Sequence, residues 1–197
     1  MPPEVLHKLP GYGPDVKQNR KEAQEIMRRL GYGPNKRLAV KVSTRDIPPF
    51  RDPAVVLLDQ LKEIYIDGEL ETIDTTNWFP KVTRKDFTVG LNLTAGFVDD
   101  PDPTLYANYV CGAESNYNGY CNPELDQLVD QQSMEPDQRK RKQLVWEIER
   151  KLAEDGARPI IYYNRGGICW RPQVKGLTTM VNSIYNGWRM EDIWLDQ

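Results

Sequence analysis

The chain has 197 residues, 39% hydrophobic and 28% charged, enough for one substantial core. Its 26 basic residues stand against 29 acidic ones, a formal charge of -3, so the balance gives no reason to expect nucleic acid or an anionic membrane surface as a partner. The most apolar windows, AVVLLDQL and IIYY, fall far short of the roughly 18 apolar residues of a membrane span; a soluble chain without direct membrane insertion is expected.

The first residues, MPPEVLHKLPGYGP, have neither a basic region followed by an apolar one nor a small-residue cleavage site, so if the protein is exported its signal is expected outside this chain. The tetrapeptide GYGP occurs at Gly11–Pro14 and again at Gly31–Pro34. Between the copies, Val16, Ala23, Ile26, Met27 and Leu30 recur at helical spacing, with Asp15 early and Gly31 just past the end. The two copies therefore read as turns flanking one amphipathic helix.

RLAVKVSTR (Arg37–Arg45) alternates as a strand, and IPPFRDP breaks it. Asp52 and Pro53 suit the N-cap and first position of a helix running to Asp67–Gly68. ELETIDTT (Glu69–Thr76) predicts a strand, Asn77–Thr83 a short helix and FTVGLNLTAGF (Phe87–Phe97) another strand. The order βαβαβ implies parallel strand pairs with helices packed on them.

Asp102 before Pro103 is expected to cap a helix over TLYANY, and Asn122–Pro123 to open the next. A longer helix starts at Pro136 and ends at Asp155–Gly156. RPIIYYN (Arg158–Asn164) reads as a strand, with Val174–Leu177 and Met190–Leu195 as weaker ones. No low-complexity linker divides the chain, so residues 1–197 are expected to form a single α/β unit.

Chemistry has few footholds. There is no G-x-S-x-G, no phosphate-binding glycine motif and only one histidine, His7. Three cysteines without C-x-x-C spacing do not make a zinc site, and no metal is expected. A disulfide between Cys111 and Cys121 fits an oxidising compartment, with Cys169 read as a buried small hydrophobe. The acidic run Asp99-Asp100-Pro101-Asp102 begins like a calcium loop, but counting from Asp100 places Leu105 where glycine is needed and Cys111 where the bidentate glutamate belongs. A carboxylate-dependent hydrolase using Asp99 and Asp102 is the enzymatic alternative, although near neighbours on a proline-locked turn tend to diverge. RKRK (Arg139–Lys142) reads as a solvated helix face among acidic neighbours, the sequon at Asn92–Thr94 as a chance match inside a strand, and Trp170, Trp188 and Trp194 as core.

Taken in order, several segments resemble the C-terminal part of extracellular solute-binding proteins of the dipeptide, oligopeptide and nickel class, which serve ABC importers. LPGYGPDVKQNRKEAQEIMRRLGYGP resembles the family's turn, helix and closing Leu-Gly-Tyr, and the segments RLAVKVSTR, DPAVVLLDQLKEIYIDG and ELETIDTT its next βαβ. FVDDPDP resembles the family's Asp-x-Pro-Asp-Pro turn, NYNGYCNPELDQLVDQ its asparagine loop, and EPDQRKRKQLVWEIERKLAEDGARPIIYY its long helix and strand.

The resemblance implies a periplasmic-binding-protein-like lobe, with a mixed sheet and helices on both faces, forming the C-terminal part of a longer two-lobed protein. It implies a non-enzymatic role in the periplasm, capturing a peptide-like or other small solute for an ABC permease without a cofactor. A signalling receptor of the same fold is a further alternative. By the same resemblance Asp99 would receive a ligand ammonium group, with Phe97 as an aromatic wall and Asn116 and Tyr117 beside it. Well-known peptide binders carry an aromatic residue and an arginine where this chain has Gly96 and Leu93, which leaves the carboxylate of a free peptide without its usual partner.

Overall fold

The structure is a computed structural model and describes residues 2–9, 11–94, 100–162, 167–178 and 190–196. A single turn, α1 (Pro3–Leu6), precedes α2 (Val16–Arg29). The Asp15 side chain caps α2 by accepting from Gln18 N at 3.0 Å. Beyond its end Gly31 takes φ +85°, the left-handed conformation that a side chain disfavours.

The sheet is built from β1 (Leu38–Arg45), β2 (Ile66–Ile73) and β3 (Val89–Gly90). Their order is β2-β1-β3 and both pairings are parallel, as the alternation of strands and helices predicts. Helix α3 (Pro48–Lys62) joins β1 to β2, and α4 (Thr75–Thr83) joins β2 to β3. The two helices take opposite faces. Gly68 lies opposite Val40, and a Cβ built on it would meet Leu58 Cδ2 of α3 at 2.2 Å, so the missing side chain admits that leucine. One residue out of phase, Glu71 lies opposite Ser43 and is joined by Lys81 of α4 at 3.2 Å.

Two boundaries differ from expectation. Helix α3 begins at Pro48, with Ile47 as N-cap, and takes Pro53 into its interior. Pro48 and Pro49 occupy positions whose N–H groups have no intrahelical acceptor, so the helix starts at the first prolines it meets and loses one hydrogen bond at Pro53. Its C-terminus comes earlier too, because Tyr65 turns the chain at φ +66° and Gly68 belongs to β2.

The second half is helical: α5 (Asp102–Tyr109), α6 (Pro123–Met134) and α7 (Gln138–Glu154). Asn122 caps α6 as expected, accepting from Glu124 N at 3.1 Å. Pro101, not Asp102, is the N-cap of α5, and Asp137 rather than Pro136 introduces α7 by accepting from Arg139 N and Lys140 N. Leu105, Leu125, Val129 and Ile148 form the core here, with Tyr106, Tyr109, Tyr120 and Leu152 against it.

The strand expected over Phe87–Phe97 is paired only at Val89–Gly90, and residues 95–97 lie outside the described residues. Residues 158–162 form no strand; Arg158 donates to Asn108 Oδ1 at 2.7 Å, and Ile160 N reaches Tyr12 Oη at 3.4 Å. A small antiparallel pair joins β4 (Val174–Lys175) to β5 (Trp194–Leu195). Trp170 and Trp194 are more than half exposed and Cys169 is exposed, contrary to their expected burial, because the described neighbours there are short extended segments. Trp188 lies outside the described residues. No helix among them is long and apolar enough to cross a membrane.

Candidate functional site

In an open parallel sheet, ligands bind beyond the carboxyl ends of the strands, where loops meet free backbone groups. Here that edge carries Arg45 at the end of β1, Asp74 after β2 and Leu91 after β3. Leu91 extends the pairing by donating its N–H to Ser43 O at 2.9 Å, and its carbonyl accepts from Thr44 Oγ1 at 3.1 Å. The chain then runs through Thr94 toward the acidic turn.

That turn is pinned from below. Asp100 accepts two hydrogen bonds from the Arg141 guanidinium, each 2.7 Å, and a third from Asp102 N at 2.9 Å. Arg141 Nε also donates to Gln132 O at 3.1 Å, and the fully buried Gln132 donates its Nε2 to Asp102 Oδ1. The Arg141 guanidinium holds the Asp100 carboxyl below the usual carboxylate range, outweighing the opposing effect of burial. The same pair raises Arg141. Arg141 is the central residue of the site that the sequence does not reveal, since RKRK reads there as a solvated helix face.

The loop after α5 is closed by a disulfide between Cys111 and Cys121, whose Cα atoms lie 4.5 Å apart. Cys111 N donates to Asp126 of α6 at 3.2 Å. Asn116 is buried, and its Nδ2 donates to Val110 O at 3.0 Å and Tyr120 O at 2.6 Å, while Oδ1 has no hydrogen-bond partner among the described residues. Tyr117 is half-buried in this loop. Tyr120 donates to Asp155 Oδ2 at 2.6 Å; burial first, and this bond second, push its pKa up to about 12.

Of the expected site residues, Asn116 and Tyr117 lie on the stapled loop, and Phe97 and Asp99 lie outside the described residues. The candidate hydrolytic carboxylate Asp102 is engaged with Gln132. No group of three or more potential metal-ligating residues gathers among the described residues.

This architecture is the fold found in part of the large periplasmic solute-binding proteins. Three solved structures represent it: the murein tripeptide binding protein MppA of Escherichia coli (18% identity, TM-score 0.79), OppA of Haemophilus influenzae in complex with RPPGFSPFR (18%, 0.76) and the oligopeptide-binding protein AppA of Bacillus subtilis in complex with a nonapeptide (19%, 0.70). The superpositions cover 95%, 98% and 96% of this chain but 36%, 38% and 39% of those proteins, so it spans less than two fifths of their length. MppA and AppA are named as binding proteins, MppA as a periplasmic one, and OppA was solved with a bound peptide. No family model and no curated protein sequence matches the chain.

Proposed function

We propose that the chain is one lobe of a solute-binding protein that captures a peptide-like solute in a cleft at the carboxyl edge of its parallel sheet and delivers it to an ABC permease outside the cytoplasm. The observation that carries this reading is the superposition of at least 95% of the chain on proteins named for peptide binding or solved with a bound peptide, at TM-scores of 0.70 to 0.79. The disulfide suits an oxidising compartment. Asp99 would meet the ammonium group of the solute, with Phe97 and Tyr117 as aromatic walls; Asn116, buried with its Nδ2 committed to Val110 O and Tyr120 O, would shape the loop beside them. A second lobe would complete the cleft by hinge closure, and the permease would read the closed form.

The test is uptake of radiolabelled trialanine and of the labelled nonapeptide RPPGFSPFR by cells with and without the gene. Loss of either uptake on deletion, restored by the gene in trans, is expected. Unchanged uptake of both overturns the reading.

A further inference from the structure

Arg45 ends the central strand of the parallel sheet, at the edge where a solute would sit. Its guanidinium carbon lies 3.7 Å from the Phe50 ring centroid and 5.6 Å from that of Phe79, so a ring from α3 and a ring from α4 hold it in place. The described carboxylates near it are already engaged. Asp46 pairs with Arg51 at 3.2 Å, Glu71 with Lys81 at 3.2 Å, and Asp74 caps α4 through Thr76 N at 2.8 Å. No carboxylate of a described residue pairs with Arg45, and its Nε is buried without an acceptor among the described residues. Partial burial lowers its pKa, since removal from water disfavours the charged form.

A purely structural cation joining two helices would be expected to satisfy its donors, since an unmet buried donor is costly. The planar fork of a guanidinium matches a carboxylate, and aromatic faces fix its plane while leaving its donor edge in line for one. Phe79, at 44% exposure, adds an apolar surface beside it.

We propose that Arg45, held between Phe50 and Phe79, is an anion-recognition residue that takes a carboxylate of the bound solute. The assignment rests on the solute-binding reading and narrows it to solutes carrying a carboxylate beside an apolar group. Leu93, in the segment leading from β3, supplies no such cation.

The test follows the Arg45 Nε–H resonance, identified by its loss in Arg45→Lys, during titration of the whole chain with N-acetylphenylalanine and with N-acetylphenylalanine amide. A saturable shift with the acid and none with the amide is expected. Equal shifts with both, or none with either, overturn the assignment. Arg45→Gln in the uptake assay separates this proposal from its parent: a tenfold or greater loss is expected for trialanine. Full uptake by the variant removes Arg45 and leaves solute binding standing, whereas a gene whose deletion changes no uptake removes the parent reading itself.

Discussion

Arg141 on α7 reaches across 41 residues of sequence to grip Asp100 with two hydrogen bonds of 2.7 Å. Removing the guanidinium in Arg141→Met leaves Asp100 with only the Asp102 N–H and strips Gln132 of its donor. Both partners are partly open to solvent, so the expected loss is about 1 to 2 kcal/mol by urea denaturation near neutral pH, at the lower part of the range for charged hydrogen bonds. Because Asp100 is depressed in the folded state, its contribution is present above the unfolded carboxylate value of about 3.9 and disappears as pH falls through the lower folded one. The variant and wild type should therefore differ most above about pH 4 and converge in acid. A gap that widens on acidification contradicts this.

The stapled loop gives a second prediction. With ten residues of separation, the Cys111–Cys121 bridge should stabilise by about 2 to 3 kcal/mol through the unfolded chain. Alkylation of the unreduced protein, unfolded in denaturant, should label one thiol, that of the free Cys169, and reduction should lower the denaturation midpoint. Three labelled thiols without reductant would remove the bridge.

The parts of the fold that were legible beforehand are those specified by neighbours in sequence. Asp15 and Gly31 bound α2, Asn122 opens α6, and the alternation in RLAVKVSTR marks β1, because caps and pleats act over a few residues. The start of α3 is ambiguous locally, since Pro48 and Pro53 both suit a first turn, and only the packed structure selects Pro48. Extended segments also read alike whether or not a partner strand exists, which is why residues 158–162 resemble a strand and are not one. At the site, the cysteine pair is a local pattern, whereas Arg141 and Arg45 acquire their roles from partners brought together only by the fold. Their exposure in a charge run or a strand end carries no such signal.

Tyr120 supplies an alkaline counterpart to Asp100. Its folded pKa of about 12 lies above the ordinary tyrosine value near 10, so the folded state keeps a proton that the unfolded chain releases. Stability from this group is fully present below pH of about 10 and is lost as pH rises toward 12. Tyr120→Phe removes the bond to Asp155, costing about 1 kcal/mol at neutral pH. The wild-type advantage should shrink between those two pH values, measured as the difference in unfolding free energy; a constant difference would show that Tyr120 does not titrate late.

Asp102 distinguishes binding from hydrolysis. Its Oδ1 accepts from Gln132, a fully buried side chain whose own Oε1 accepts from Arg141, so the carboxylate holds the inner end of the network under the acidic turn. Asp102→Asn retains a carbonyl oxygen in the place of Oδ1 and should keep the fold, whereas Asp102→Ala strands the Gln132 amide and should cost about 1 to 3 kcal/mol. For a binding protein, the Asn variant should sustain trialanine uptake within about threefold of wild type, a change of less than about 0.7 kcal/mol in binding. A hydrolase relying on this carboxylate as acid or nucleophile should instead lose its turnover by orders of magnitude, because an amide neither donates an acidic proton nor attacks. Trialanine cleavage by the wild-type chain that vanishes in Asp102→Asn would establish the enzymatic reading and displace the transport one.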